Sequence, residues 1–65
     1  MSLYIVFQCS HSTGVSTGWC VFQDCPTPRA AADMFALHDR LKECLAGEYD
    51  GLGDAVILNW EELPA

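Results

Sequence analysis

The sequence predicts an α+β fold, a two-layer single domain in which one helix packs on one face of a three-stranded antiparallel sheet. Three observations predict it: two apolar alternating stretches in the N-terminal part, one long stretch with helical periodicity, and a third apolar stretch near the C-terminal end. In the resulting order ββαβ, a hairpin makes strands one and two antiparallel and a helical crossover makes strands two and three parallel. A strand order of 2-1-3 satisfies both conditions. Residues 1–65 are expected to form one domain.

The three predicted strands are rich in β-branched and aromatic residues. Residues 3–9 and residues 19–24 place alternate side chains on two opposite faces, and residues 55–60 form the last apolar stretch. The first strand is apolar on both faces, which predicts a central position in the sheet.

Two segments are expected to be loops. Residues 11–18 contain Ser-Thr-Gly twice, and small polar residues with glycine predict a mobile hairpin loop. Residues 48–54 hold two glycines and three acidic residues, and we expect Tyr49 and Leu52 to fix this loop to the core.

The helix is predicted over residues 27–47. Thr27 suits the N-cap, Pro28 suits the first helical position, and Gly47 suits a left-handed stop. Phe35 lies at the flank of the apolar face, where it either borders the sheet or contacts a partner. The residues that share that face at 100° per residue are Ala30, Met34, Leu37, His38, Leu41, Cys44 and Leu45.

One helix can cover only one face of the sheet. The second face is expected to carry some of Tyr4, Val6, Trp19 or Val21 and Trp60. A partly apolar, aromatic sheet face without a covering element is a candidate binding or dimer surface.

The charge of the chain excludes some function classes. Nine acidic residues stand against three basic ones, for a formal charge of −6, and this balance disfavours direct nucleic-acid binding. No apolar run reaches the length of about 18 residues that a membrane span needs, and the N-terminal residues lack the basic start of a secretory signal. We therefore expect a soluble, cytoplasmic protein without a membrane partner.

The cysteines and histidines give no strong metal or catalytic motif. Cys9, His11, Cys20 and Cys25 are ligand types, but the chain has no CxxC knuckle, so neither a metal nor a cofactor is expected and reduced thiols are preferred to disulfides. His38 is expected to be a hydrogen-bonded histidine at the edge of the core. The two adjacent carboxylates near the C-terminal end point to opposite sides of an extended chain, so they cannot act as an acid and base pair. We expect no enzymatic activity.

What remains is recognition by surface. No basic residue follows Lys42 in the sequence. The carboxylates of this last third of the chain are therefore expected to bind a basic protein surface, with Tyr49 and Trp60 as aromatic anchors. The acidic residues expected to bind the partner are Glu43, Glu48, Asp50, Asp54, Glu61 and Glu62.

In this layout the chain resembles the small, acidic, phage-encoded anti-CRISPR proteins. The resemblance covers the whole length and is carried by the strands LYIVFQC, WCVFQD and AVILNW, the helix TPRAAADMFALHDRLKECLAG and the acidic segments EYDGLGD and EELPA. It implies a non-enzymatic inhibitor that binds a Cas subunit of a type I surveillance complex, Cascade, as a mimic of the DNA backbone. The alternative is a small protein-interaction or regulatory module that uses its open sheet face. One version of this alternative is a homodimer. We expect a monomer rather than a homodimer.

Overall fold

The computed structural model describes residues 2–64 and confirms the predicted fold. Its elements are β1 (Ser2–His11), β2 (Gly14–Gln23), α1 (Ala31–Ala46) and β3 (Ala55–Leu63). The strands form one antiparallel sheet in the order β2-β1-β3, and the helix packs on one face of it. This is the predicted 2-1-3 arrangement, in which β1 is central.

The β1–β2 hairpin is longer and tighter than predicted. The ladder continues to the pair His11 and Gly14, so that only Ser12 and Thr13 form the turn and most of the predicted loop is strand. Gly14 adopts φ +136°, which a side chain would disfavour. Gly18 instead serves packing, because a Cβ atom there would lie 3.0 Å from the ring of Phe7, its cross-strand partner.

The helix begins later than predicted. Its N-cap is Ala30, without a side-chain hydrogen bond, and the predicted N-cap Thr27 instead donates to a carboxylate oxygen of Glu62 at 2.6 Å. Asp33 in the first turn accepts a hydrogen bond from the backbone N–H of Arg29 at 3.1 Å and thereby ties the preceding segment to the helix. At the other end Gly47 has φ −81° and is right-handed, so the predicted left-handed stop is wrong.

The core lies between the helix and the odd-numbered residues of β1. The helix contributes Leu37, Leu41 and Leu45, which recur every fourth residue and are buried as predicted. Cys44 and Ala30, also assigned to this face, are exposed, because the buried stripe is only about one residue wide. The buried residues of the strands and of the segment after β2 are Leu3, Ile5, Phe7, Cys9, Phe22, Cys25 and Ala55.

β3 contains a bulge that decides which side chains face the helix. The register shifts between Val6 and Phe7, which pair with Asn59 and Ile57, so Leu58 is an additional residue. Because of this shift, Ile57 and Trp60 both lie on the helix side, where they pack against the core. The prediction that the second face could carry Trp60 is therefore wrong.

The loop between α1 and β3 is ordered by backbone contacts with the hairpin. The N–H of Ser10 donates to the carbonyl of Asp54 at 2.9 Å, and the N–H of Ser12 donates to the carbonyl of Asp50 at 3.0 Å. Tyr49 and Leu52 pack against the core, as predicted. The loop thus closes the end of the sheet where β1 meets β2.

Candidate functional site

The face of the sheet opposite the helix is open and carries apolar side chains interleaved with polar ones such as Gln8, Thr17 and Asn59. Tyr4 and Val6 on β1 lie beside Val21 and Trp19 on β2, as the register dictates. The rings of Tyr4 and Trp19 are 5.9 Å apart in a tilted arrangement. Some of these four residues were expected on this face, and the structure places all four there.

Of the six large hydrophobic residues that are exposed within residues 2–64, five belong to this open face. β2 carries Val15 (62% exposed), Trp19 (66%) and Val21 (40%), and β3 carries Val56 (51%) and the bulge residue Leu58 (52%). We call these five residues together with Tyr4 and Val6 the open face. Nothing else in residues 2–64 covers it.

The sixth exposed hydrophobic residue, Phe35, lies elsewhere. It is 71% exposed and lines a shallow groove between α1 and the outer edge of β3, together with Met34, His38 and Val56. At the groove, His38 donates from Nε2 to the carbonyl of Ala55 at 2.5 Å. His38 is thus the hydrogen-bonded, half-buried histidine that the sequence predicts.

The six predicted acidic residues are all exposed, but the fold divides them. Asp50 and Asp54 lie at the end of the sheet next to the hairpin turn, whereas Glu61 and Glu62 lie at the opposite end beside Tyr4 and Leu3. A strand rises about 3.3 Å per residue, so about 25 Å separates Asp54 from Glu62. Glu48 follows the C-terminal end of α1, and Glu43 lies on its last turns.

Tyr49 and Trp60, the two predicted aromatic anchors, both pack against other residues of the fold. Tyr49 stacks on the ring of His11, with centroids 4.9 Å apart and planes inclined by 22°. Trp60 is half-buried on the helix side of the sheet. The exposed aromatic residues are Trp19 and Phe35. The signal in the sequence that could have identified Trp19 as a binding residue is that Val15, Trp19 and Val21 are separated by even numbers of residues and so share one face of β2.

His11 and Ser16 form the one pair that resembles a nucleophile and its base among the described residues. Nε2 of His11 is 2.7 Å from Oγ of Ser16, while the backbone N–H of Thr13 donates to Nδ1 at 3.4 Å. Oγ1 of Thr13 is 3.1 Å from the same Nδ1 atom, so both ring nitrogens of His11 contact residues of the hairpin. The pair lies beside the β1–β2 turn, and its contacts join the two ends of that turn.

The four cysteines are free thiols. Cys9 and Cys25 are buried, Cys20 is half-buried and Cys44 is exposed. Burial, and secondly the neighbouring Cys44, raise the pKa of the Cys20 thiol above its ordinary value. Cys20 lies on β2 and Cys44 on α1, and no Cα atom of α1 comes within 8 Å of a Cα atom of β2. Because a disulfide needs its two Cα atoms about 4.4–6.8 Å apart, Cys20 and Cys44 cannot form one in this arrangement.

Within residues 2–64, no three His, Cys, Asp or Glu side chains converge as a metal-binding group. The helix α1 is not long and apolar enough to cross a membrane, and no other described segment forms a helix that could. No protein-family model, curated protein or solved structure matches this chain.

Proposed function

We propose that this chain is a non-enzymatic protein-binding module that uses its open face. The observation that supports this proposal is that five of the six exposed large hydrophobic residues of the described chain lie on one side of the sheet. Scattered exposed apolar side chains need no explanation, but Trp19 and Val21 adjoin Val6 and Tyr4 across the ladder, and an apolar cluster of this kind on a small domain is typical of a binding surface.

The open face has the composition of an interface centre. Trp19 and Tyr4 are neighbours, and tryptophan and tyrosine are enriched among the residues that dominate binding energy. Covering the exposed two-thirds of a tryptophan removes roughly 130 Å² from water, which is worth about 3 kcal/mol before the costs of association. Val6, the cross-strand partner of Trp19, and Val21, two residues further along β2, supply branched apolar neighbours.

The test replaces either Trp19 or Phe35 with the photo-cross-linking residue benzoylphenylalanine, in the cells from which the sequence comes. The two side chains are similarly exposed, at 66% and 71%, but only Trp19 lies on the open face. We expect a protein adduct at position 19 that is absent at position 35. Equal labelling at both positions, or no adduct at position 19, would contradict the proposal.

The acidic inhibitor remains a second candidate function. The observation that favours it is that all six predicted carboxylates are exposed. Because the fold divides these residues, a charge mimic would have to contact its basic partner at both ends of the sheet, with Asp50 and Asp54 at one and Glu61 and Glu62 at the other. The preferred partner is the DNA-binding surface of a Cas subunit of Cascade, as the resemblance to anti-CRISPR proteins implies.

Binding to purified type I Cascade tests this second candidate. The double change of Asp50→Lys and Asp54→Lys should abolish binding, and the binding of the unchanged chain should weaken steeply as the salt concentration rises. Binding that survives both the double change and high salt would exclude a charge mimic that uses this loop.

A further inference from the structure

We infer that β2 pairs edge to edge with the β2 strand of a second copy of this chain, in antiparallel orientation. The three-stranded sheets of the two copies then join into one continuous sheet of six strands. The pairing uses main-chain groups at the margin of the sheet and leaves the open face uncovered, so it stands apart from the proposed function. It replaces the monomer that the sequence alone predicts.

The outward direction of the main-chain groups of β2 follows from the pairing of β1. In an antiparallel ladder, alternate residues of a strand bond to the neighbour on one side. Ser10 bonds towards β3, through the carbonyl of Asp54 at 2.9 Å, so the odd-numbered residues of β1 bond to β2. Their partners in β2 are even-numbered, and the odd-numbered residues of β2 therefore point outward. Arg40 agrees with this direction, because its guanidinium donates to the carbonyl of Gln23 at 3.5 Å.

Four outward residues of β2 present N–H and C=O groups that have no hydrogen-bond partner within residues 2–64. These residues, which we call the free edge, are Val15, Thr17, Trp19 and Val21. The ten residues of β2 include no charged residue and no proline, and their ladder has no bulge, although these are the devices with which proteins protect a sheet edge. The occupant that fits such an edge is another extended strand, because it offers donors and acceptors at the same spacing.

The outer edge of β3, in contrast, is protected. Ala55 points outward, but its N–H donates to Oδ1 of Asp54 at 3.0 Å and its C=O accepts from His38. The bulge at Leu58 interrupts the ladder, and two carboxylates follow it in the strand. A second copy can therefore add at β2 and not at β3, so that the assembly closes at two copies.

The register of the free edge favours an identical strand. In an antiparallel pair with two-fold symmetry, outward residues must face outward residues. A two-fold axis at Gly18 places Val15 of one copy opposite Val21 of the other. The same axis places Thr17 opposite Trp19, so every residue of the free edge is paired and about eight main-chain hydrogen bonds form. A shift by two residues in either direction leaves one residue of the free edge without a partner from the other free edge.

The two strands meet in this register without opposing like charges. β2 has no charged residue, and Asp24, which follows it, falls opposite Ser12 of the other copy. The formal charge of −6 on each copy opposes association, so added salt should strengthen the dimer by screening. A junction of two strands covers less area than a standard interface, and we expect a dissociation constant near 100 μM.

Amide hydrogen exchange, measured by NMR on the unchanged chain at about 50 μM and about 1 mM, tests the pairing. The amides of the free edge should exchange about threefold more slowly at the higher concentration. The amides of Ser16 and Gly18, which already bond to β1, and the outward amide of Ile57 on β3 should not change. Exchange that is independent of concentration, or equal protection at Ile57, would overturn the inference.

A proline variant tests whether main-chain groups make the contact. Thr17→Pro removes one donor of the free edge and no bond to β1, and proline is tolerated at outward positions of an edge strand. Thr17→Ala is the matched control, because it changes the side chain and keeps the N–H group. In sedimentation velocity Thr17→Ala should shift from about 7.2 kDa towards twice that mass as the concentration rises, whereas Thr17→Pro should not. Equal dimerisation of the two variants would overturn the inference.

Circular dichroism establishes that each variant is folded, and the exchange pattern of the unchanged chain does not depend on either variant. An isotope-filtered NMR spectrum of mixed labelled and unlabelled copies identifies the register. We expect contacts between Ser16 of one copy and Cys20 of the other, whose Cα atoms face each other at about 4.5 Å. Contacts between the two open faces in their place would overturn the inference. A monomer that still gives a cross-link from position 19 to a different protein would overturn the dimer and leave the proposed function intact.

Discussion

Gly53 is a position where a single methyl group should measurably destabilise the fold. A Cβ atom on Gly53 would lie 2.6 Å from Oγ of Ser10, well short of the 3.4 Å at which ordinary contact begins. Ser10 must therefore turn away and lose the hydrogen bond that its Oγ accepts from the N–H of Asp54 at 2.9 Å. The backbone of Gly53 has no positive φ, so the change to alanine introduces no left-handed strain.

The magnitude follows from these contacts. The lost hydrogen bond costs about 0.5–1.5 kcal/mol and an off-rotamer Ser10 a similar amount, while the stiffer unfolded chain returns about 0.4–1 kcal/mol. For Gly53→Ala we expect a net loss of about 1 kcal/mol in the free energy of unfolding, measured by urea denaturation. In a domain of this size this loss corresponds to a fall of about 4–8 °C in Tm.

A double-mutant cycle identifies the cause. In a Ser10→Ala background the new methyl group would meet no hydroxyl, because the remaining nearby atoms of residue 10 are 3.8 Å away. There Gly53→Ala should stabilise the protein by about 0.4–1 kcal/mol, since only the effect on the unfolded chain remains. An equal loss in both backgrounds would refute the assigned contact with Ser10.

Three further predictions concern the core, the thiols and the helix. Leu41→Ala should lower the free energy of unfolding by about 2–5 kcal/mol in urea, because Leu41 is fully buried; a loss under about 1 kcal/mol would contradict this core. The raised pKa of Cys20 means that the folded state holds its thiol proton more tightly, so its contribution to stability is complete below pH 9.0 and falls as the pH rises above it. Cys20→Ala should reduce that fall in thermal scans between about pH 9 and 10.5, and an unchanged slope would count against it. His38→Ala should lower stability by about 0.5–1.5 kcal/mol through loss of the hydrogen bond to Ala55, whereas His38→Gln should retain part of it if the amide reaches the same carbonyl.

The strand order and the buried helix stripe were predictable because they depend on periodicity. Leu37, Leu41 and Leu45 recur at helical spacing, and a helix between the second and third strands leaves few alternatives to a central β1. The start of the helix was not predictable from capping residues. Thr27 has the side chain of a typical N-cap, but its hydroxyl donates to Glu62, 35 residues away in the sequence. Capping preferences describe only neighbouring residues, so they cannot predict such a long-range contact.

The hairpin and the acidic residues also depend on contacts and distances that local sequence patterns do not contain. The second Ser-Thr-Gly reads as a loop, yet Gly18 is in a strand because its missing side chain leaves room for the ring of Phe7. Asp54 and Glu61 are close in sequence and lie at opposite ends of a sheet edge, since an extended strand separates residues faster than any other element. Closeness in sequence therefore predicted one acidic surface where the fold forms two, and the sequence left open which face of β2 is uncovered, because the register decides it.

The bulge in β3 also bears on how the length of this chain can vary. Leu58 is an additional residue between Ile57 and Asn59, and the pairing with β1 is regular on either side of it. Removing Leu58 would join two segments that already alternate correctly, so Ile57 and Trp60 would still point to the helix and Asn59 away from it. Removing Asn59 has the same effect, because Leu58 then takes its place opposite Val6, whereas removing Val56 or Ile57 would send a core side chain to the wrong side. A one-residue deletion should therefore be tolerated at the bulge, at Leu58 or Asn59, and sequences of this fold that differ by one residue in length are expected to differ there.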